Sequence, residues 1–502
     1  EIRLGKDYDY RLRGTAEVGG RDCWIIDFRP IAAVPGRNLY RGTVWVDRKL
    51  SVRVRMRVSQ VGLEGAVLSN EEVYDYEPLD AAGAQTSWSQ ASYVLPLRIS
   101  GQQTLSVLSI TLPIELETIT SDVRINGEGF ERRRQAVLES ESTMVRETEQ
   151  GLRYLRKDKD GNRQVEAKLD SDRLFLLGGV FWDDSVDFPI PLAGVNYLDL
   201  DVGSKASQFN LFFAGALLNG SYANPRLFGS RWNAGASVNG VFFQGTDKLF
   251  RDGAEVPEEA VKRRSSAIRA YVSRPFAEFF NLDLVYRLRH VDYDRADDTA
   301  DDFVVPQDTF VNTFRLGLQY NRMGYRIGLS GSTNHRTDWE SWGLQDNDEY
   351  SPDQADYLRW RAVFAKTWWL PKFRKVAVTL EHLDGQDLDR FSGYDFGLFG
   401  SASVAGYPSG LVRGQRAEAF HLTGGVNYFD RIRVEVEADA VWATNEFTGL
   451  DNELLAGIGV GGTLTLPAQF IVNFDLGYAV AGPGQGKFAI RVFFLRLFPG
   501  RR

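Results

Sequence analysis

The last third of the chain alternates polar and apolar residues over long segments. Between Arg431 and Val441 the odd positions include Arg433, Glu435, Glu437 and Asp439, whereas the even positions are Ile432, Val434, Val436, Ala438 and Ala440. A period of two is that of a β-strand with two unlike faces. Comparable segments cover 419–428, 454–466, 470–480 and 487–498. Each is long enough to cross a bilayer as a tilted strand, which takes about 9 to 11 residues, so the pattern predicts membrane-spanning strands.

The same rhythm extends back to about residue 188. It predicts further strands at 193–203, 208–223, 231–244, 267–276, 282–293, 310–321, 325–337, 357–368 and 375–383. The count is fourteen, and residues 173–182 could add strands to make sixteen. Short turns such as 322–324 alternate with long polar segments such as 384–416, as in outer-membrane barrels with short periplasmic turns and long external loops. The prediction is a transmembrane antiparallel β-barrel over 188–502.

Residues 1–187 are also rich in β-patterns but of a different kind. Segments 7–18 and 21–30 form a predicted hairpin turned at Gly19-Gly20, and 41–47 and 50–61 follow as strands. In the last of these, apolar residues alternate with arginines, which indicates a half-covered antiparallel sheet. The chain is therefore predicted to be all-β, with a periplasmic β-sheet domain preceding the barrel.

Composition narrows the function classes. The formal net charge is −8 and no segment presents a basic face, which argues against nucleic-acid binding. The single cysteine, Cys23, excludes an intrachain disulfide. Because the longest apolar stretches fall well short of 18 residues, a transmembrane helix is not expected. The chain begins at Glu1 without a leader, which fits a processed exported protein or a fragment.

No catalytic or cofactor-binding arrangement stands out. The four histidines are far apart and none has metal-ligand spacing, so no cofactor or metal is predicted. Residues 457–462 fit Gly-x-Gly-x-x-Gly, but a strand follows them, and glycines that ease strand curvature or a close loop approach explain them better. Ser332, Asn334 and His335 are the nearest material for a barrel-embedded lipid hydrolase. The chain is predicted not to be an enzyme.

The C-terminal segments resemble a known family of barrels. They are Ser403-Val404-Ala405-Gly406-Tyr407, Val412-Arg413-Gly414, Asp439-Ala440-Val441-Trp442, Gly457-Ile458-Gly459-Val460-Gly461 and Asp475-Leu476-Gly477-Tyr478-Ala479. Together with the aromatic last strand, they resemble the surface-antigen superfamily of barrel-assembly proteins and two-partner secretion transporters. The resemblance implies a sixteen-stranded barrel whose long loop, carrying an Arg-Gly-aromatic sequence, enters the lumen. It also implies that the loop arginine meets an acidic residue on the wall.

This chain departs from that pattern in the loop. Ala405 stands before Gly406 and Tyr407 where the arginine would fall, and Arg413-Gly414 is followed by Gln415. If the loop is held inward, we expect Arg413 to reach Asp439 or Glu437, because a guanidinium fork matches a carboxylate. The alternative is a solvated arginine in an external loop.

The first strands resemble the periplasmic lipoprotein-carrier fold. The resemblance covers roughly residues 8–78 and includes Cys23-Trp24-Ile25-Ile26-Asp27 and Tyr40-Arg41-Gly42-Thr43-Val44-Trp45-Val46-Asp47. It implies a curved sheet that encloses acyl chains. The candidate lining residues are Trp24, Ile26, Trp45 and Val54, although an ordinary sheet core would explain the same apolar positions.

These patterns predict an outer-membrane protein that handles lipid, lipoprotein or protein cargo. Its predicted partners are outer-membrane lipid and, as cargo, lipoprotein or unfolded outer-membrane protein. A passive pore or structural barrel is the alternative, and a lipid hydrolase is a third class.

Overall fold

The structure is a computed structural model that divides the chain into two compact units. It describes residues 5–32, 39–63, 66–108, 110–125, 127–140, 144–148, 151–166, 172–183, 190–203, 207–215, 217–242, 244–251, 254–344, 353–372, 374–397, 401–408, 410–428, 431–445, 448, 450–467 and 470–499. The first unit is built from residues before 170, and the barrel is built from residues after it. The first barrel strand therefore begins within the predicted 1–187 section.

The first unit contains a seven-stranded antiparallel sheet in sequential order. Its strands are β1 (Tyr8–Val18), β2 (Arg21–Pro30), β3 (Leu39–Asp47), β4 (Arg53–Val61), β5 (Val67–Leu79), β6 (Tyr93–Val107) and β7 (Ile110–Ile119). Phe28, Val44, Met56 and Val58 are buried together in its core. The β1–β2 hairpin turns at Gly19 and Gly20, both with positive φ, as the sequence predicts.

The rest of this unit is smaller. It includes a 3-10 turn (Trp88–Gln90), helix α1 (Phe130–Glu139) and a sheet of β8 (Val145–Thr148), β9 (Gly151–Lys157) and β10 (Arg163–Val165). Helix α1 buries none of its residues. Among the described residues, no helix is long and apolar enough to cross a membrane.

The second unit is a closed antiparallel barrel. Its wall is formed by β11 (Asp172–Asp183), β12 (Ile190–Val202), β13 (Ser207–Ala214), β14 (Leu217–Asn224), β15 (Asn233–Val241) with its continuation β16 (Gly245–Asp247), β19 (Val261–Phe276), β20 (Phe280–Arg295), β21 (Thr309–Arg322), β22 (Tyr325–Arg336), β23 (Asp356–Leu370), β24 (Arg374–Gln386), β27 (Arg416–Tyr428), β28 (Ile432–Asn445), β29 (Leu450–Leu466), β30 (Phe470–Ala481) and β31 (Phe488–Pro499). Two small antiparallel strand pairs are not part of the wall: β17 (Phe250–Arg251) with β18 (Ala254–Glu255), and β25 (Tyr394–Asp395) with β26 (Arg413–Gly414). Two 3-10 turns cover Leu227–Gly229 and Pro257–Glu259.

With β15 and β16 counted as one strand, the described barrel has sixteen strands, the higher of the two predicted numbers. The count of fourteen was too low for two reasons. Strand β11 supplies one of the missing strands. The segment predicted as one strand, 208–223, is a hairpin of β13 and β14 that turns near Gly215, whose φ is +59°. Apolar residues run through this turn and hide it from a periodicity analysis.

The outward face of the barrel is apolar. Its exposed side chains include Leu176, Phe213, Ile268, Leu284, Leu316, Leu329, Phe364, Leu380, Val436, Ile458, Leu476 and Phe494. A band of this kind around a sheet without open edges is the surface that a bilayer covers. Strand β11 closes the barrel by pairing with β31, from Arg173 opposite Pro499 to Asp183 opposite Ala489. The barrel therefore spans a membrane as predicted.

Connections differ between the two rims of the barrel. At the rim where β11 begins and β31 ends, short turns such as Met323-Gly324 join the strands. Longer segments at the other rim join β20 to β21, β22 to β23 and β24 to β27. The last of these, residues 387–415, forms the candidate site and is called the lumen loop below.

Candidate functional site

The lumen loop lies inside the barrel. Its buried side chains share one core with inward-facing residues of the wall; from the loop they are Leu388, Phe391, Tyr394, Phe396, Val404, Tyr407, Leu411 and Val412, and from the wall Leu383, Val441, Ala443, Leu455 and Ala479. Because neighbouring residues of a strand face opposite ways, a loop that packs on Val441 and Ala443 occupies the lumen side of β28. The prediction of a long polar segment overlooked these apolar side chains, which the lumen buries.

Asp439 of β28 connects the loop to the wall. The backbone N–H of Ala405 donates a hydrogen bond to Asp439 Oδ2 at 2.8 Å, and Nδ1 of His421 lies 2.9 Å from Asp439 Oδ1. The Asp439 residue is 7% exposed. A carboxylate in this position satisfies a backbone donor that would otherwise be buried without a partner. The resemblance implies an arginine of the loop on the acid of the wall, and in this chain a backbone amide of the loop takes the place of that arginine.

Glycines allow the loop backbone to touch the wall backbone. A Cβ on Gly457 of β29 would lie 1.9 Å from the Ala405 carbonyl oxygen, and one on Gly477 of β30 would lie 2.2 Å from the Gly406 nitrogen. Gly406 itself has φ of +80°, and its own Cβ would meet the backbone of Tyr478 and Ala479. No other residue type fits such contacts without a shift of backbone. The Gly-x-Gly-x-x-Gly segment is therefore part of a strand, as expected, and Gly457 in it serves the loop approach.

Tyr407 fixes the tip of the loop. The residue is completely buried, and its hydroxyl donates to the backbone oxygen of Ala481 at the end of β30. Its ring and hydroxyl occupy the space that a side chain at Gly482 or Gly484 would need. A buried tyrosine usually needs such a partner for its hydroxyl.

Arg413 makes an ion pair other than the predicted one. Its Nη1 and Nη2 bond to Oδ1 and Oδ2 of Asp247, each at 2.9 Å. The predicted pairing with Asp439 or Glu437 is wrong, because Asp247 in β16 lies beside the base of the loop although it is 166 residues away in sequence. Gly414, the next residue, pairs with Tyr394 in the β25–β26 strand pair and is buried.

Asp247 is the centre of a buried charge cluster. Besides Arg413, it receives Arg390 Nη2 at 2.9 Å and Arg263 Nη1 at 3.1 Å, and its side chain is 1% exposed. The guanidiniums of Arg390 and Arg413 balance the charge of this carboxylate, which ties two loop arginines to the wall.

A second buried ion pair holds the start of the loop. Arg336, the last residue of β22, donates from Nη1 to Asp389 Oδ2 at 2.6 Å and from Nη2 to Asp389 Oδ1 at 2.8 Å. Both side chains are about 3% exposed or less. Asp389 also accepts the backbone N–H groups of Phe391 and Ser392. A bidentate pair with its remaining acceptors filled has the geometry that a buried pair needs to be stable.

Glu437 lies on the lumen face of the same strand as Asp439, farther from the loop. With Arg433, Glu435, Asp475 and Arg491 it lines a cavity of about 420 Å³. The structure thus brings Gly406, Tyr407 and Asp439 together, and it places Arg413 and Gly414 in the separate Asp247 cluster.

The candidate hydrolase residues fall on two faces of β22. Asn334 Nδ2 lies 3.3 Å from Ser332 Oγ, and both line a cavity in the lumen. His335, the residue after Asn334, lies on the outward face, and its Nδ1 is 2.8 Å from Asp356 Oδ1. Ser332 and His335 therefore do not form a nucleophile and base pair.

The four candidate lining residues of the first unit also fall on two faces of the sheet. Trp24 and Ile26 lie on the same face of the sheet as the buried Phe28, and Val54 lies on the same face as the buried Met56. Trp45 follows the buried Val44 in β3 and therefore lies on the opposite face. Ile26 packs against the buried core. Acyl-chain binding by this sheet stays a prediction.

Sequence reasoning missed Asp247, Arg336, Asp389 and Arg390. The Asp-Arg pair at 389–390 looks like any polar loop sequence, and Asp247 lies in a segment predicted as an external loop. The available signal was indirect, because the charges of a loop whose Leu, Phe, Val and Tyr side chains are buried need partners.

Comparisons with known proteins add a likeness of fold. No family model matches the chain, and no curated protein matches it. Solved structures of similar fold include BamA from Haemophilus ducreyi lacking POTRA domains 1–3 (12% identity, TM-score 0.43, 73% of this chain and 77% of that one). CdiB from Acinetobacter baumannii (12%, 0.45, 67% and 61%) and CdiB from Escherichia coli (12%, 0.46, 72% and 68%) are further examples.

At 12% identity and TM-scores below 0.5, these likenesses carry no conclusion about what the chain does.

Proposed function

We propose that this chain is a bacterial outer-membrane barrel with a periplasmic sheet domain, and that it handles protein, lipid or lipoprotein cargo rather than acting as an open pore. The observation that carries the proposal is the lumen loop. It is packed on the wall by apolar side chains and fastened by Asp439, Asp389 and the Asp247 cluster.

A passive pore needs a water-filled lumen lined by polar side chains. Here the lumen contains Phe396, Val404 and Tyr407, none of which is exposed at all. Buried bidentate ion pairs at the start and end of the loop make a spontaneous opening costly. A filled lumen favours a protein whose cargo uses a regulated opening or the barrel wall.

The orientation of the chain follows from the rims. In outer-membrane barrels the short turns face the periplasm and the long loops face outward. The first unit precedes β11 in the chain, and β11 begins at the rim with short turns, so we place the first unit in the periplasm. Its exposed apolar residues, including Leu12, Ile110 and Ile119 on β1 and β7, suit contact with an extended polypeptide or an acyl chain.

Single-channel recording in a planar bilayer tests the proposal. The intact chain is expected to show little steady conductance, whereas deletion of residues 405–413 should raise it because the anchors at Ala405, Tyr407 and Arg413 are lost. A large steady conductance of the intact protein would contradict the plugged lumen and favour a passive pore.

A further inference from the structure

Inward-facing arginines form a cationic patch on one side of the lumen. This patch, called the arginine wall below, consists of Arg287, Arg289, Arg315, Arg359 and Arg361 on strands β20, β21 and β23. It lines a cavity of about 250 Å³. The cavity is also lined by polar groups that can donate hydrogen bonds, from Thr313, Ser330, Ser332, Asn334 and Tyr357.

Strand register brings these groups side by side. Arg315 lies opposite Ser332, and Ser332 lies opposite Arg359 on the next strand. Arg287 lies opposite Thr313 on one side and opposite Arg269 on the other. Directly opposed residues have Cβ atoms about 4.5 to 5.5 Å apart, so several guanidiniums converge on one space.

The charges of the wall are only partly balanced. Arg315 bonds to Asp283 at 2.8 Å, and Arg361 bonds to Glu381 at 3.0 Å through Nε. Among the described residues, Arg287, Arg289 and Arg359 form no ion pair with an aspartate or glutamate. Arg359 instead donates to Ser401 Oγ and lies over the ring of Tyr394, and the described residues that line the cavity include no carboxylate.

Such an arrangement is unfavourable without a counter-charge. Like charges placed directly opposite on neighbouring strands repel, as Arg269 and Arg287 do here. Guanidinium forks surrounded by hydroxyl donors match the several oxygens of a phosphate group, whereas a carboxylate occupies a single fork. We propose that the arginine wall and its cavity form a binding site for an anionic ligand that bears a phosphate group.

The size and position of the cavity define the proposal further. About 250 Å³ is below the roughly 300 to 1,000 Å³ of sites for drug-sized molecules, so the site suits a phosphate or a small phosphorylated headgroup. Tyr394 and Ser401 belong to the lumen loop, so a bound anion would contact both the wall and the loop. This binding goes beyond the proposed function and does not depend on whether the loop blocks conductance.

Calorimetric titration of the full chain in detergent, in phosphate-free buffer, tests the site. The probes are inorganic phosphate, glycerol 3-phosphate and short-chain phosphatidic acid. Saturable binding of at least one probe is expected, and the double variant Arg287→Gln/Arg289→Gln should weaken it at least tenfold. Arg326→Gln is the matched control, because Arg326 lies on β22, which pairs with β23, but does not line the cavity. The affinity of this variant for the probe should stay within twofold of that of the wild type.

The probes distinguish the source of the ligand. Binding of the two water-soluble probes supports a free phosphate compound, and binding of phosphatidic acid alone supports a lipid headgroup. If the double variant does not give the heat-dependent gel shift of a folded barrel, Arg359→Gln replaces it with the same expectation. Absence of saturable binding for all probes, or equal affinity in folded wall variants and wild type, overturns the proposal.

Discussion

At the scale of the residue, one carboxylate organises the base of the lumen loop. Asp247 holds Arg390 and Arg413 of the loop and Arg263 of β19, all within 3.1 Å. A single carboxylate among three cations is a strong constraint because its removal takes away the counter-charge that Arg390 and Arg413 share. Asp247 is therefore the residue whose substitution should reveal most about the loop.

We expect Asp247→Asn to destabilise the barrel by about 3 to 5 kcal/mol, the usual cost of breaking a buried ion pair from one side. The measurement is the free energy of unfolding in urea, and the folded fraction is monitored by heat modifiability on SDS gels. Asp297→Asn is the control. Asp297 is an exposed residue after β20 that pairs with Lys262 of β19, and the loss of this exposed pair should change the stability little. Equal stabilities of the two variants would contradict the role of Asp247.

At the scale of the element, glycines allow the lumen loop to pack closely against three neighbouring strands. Gly406 lies against Gly477 and the backbone of β30, while the Ala405 carbonyl lies against Gly457 of β29. Asp439 of β28 then accepts the Ala405 N–H. At these points the backbone of the loop contacts the backbone of the wall strands directly.

Adding one methyl group there should displace the loop. We expect Gly457→Ala or Gly477→Ala to raise single-channel conductance, because the new Cβ would lie within about 2.2 Å of loop backbone atoms. Gly331→Ala on β22 is the matched control, since a Cβ there meets nothing within 4 Å. Unchanged conductance in both loop-side variants, with normal heat modifiability, would mean that the loop tolerates displacement without opening a path.

At the scale of the whole molecule, the barrel closes on itself independently of the first unit. Its first strand β11 pairs with its last strand β31 along the length of both. A closed barrel leaves no sheet edge, which is the condition for a β-structure to be stable in lipid. The first unit has its own seven-stranded sheet and its own core.

The barrel should therefore fold without the first unit. A chain that starts at Asp172 is expected to show a heat-dependent shift on SDS gels, whereas a chain that starts at Ile190 should not, because it lacks β11 and cannot pair β31. A shift in both truncations would show that closure by β11 is dispensable. Absence of a shift in both would show that the barrel needs the first unit to fold.

Much of the fold could be predicted because strand structure is a local property. The alternation of Arg433, Glu435 and Glu437 with Ile432, Val434 and Val436 already assigns the two faces of β28, since the side chains of a strand alternate whatever its neighbours are. Long strands, short turns and an apolar outward face then predict a barrel. The prediction failed where local chemistry was ambiguous, as at the β13–β14 turn, which lacks a strong turn sequence around Gly215.

The site depended on contacts that only the closed barrel creates. From the sequence it was possible to single out Gly406, Tyr407, Arg413 and Asp439, because they stand in a recognisable loop and strand. Their partners were not determined by the sequence, since Asp247 and Arg413 are 166 residues apart and meet only when the loop turns into the lumen. The period of two thus determined which residues face inward, whereas barrel closure and loop insertion decided which of them touch.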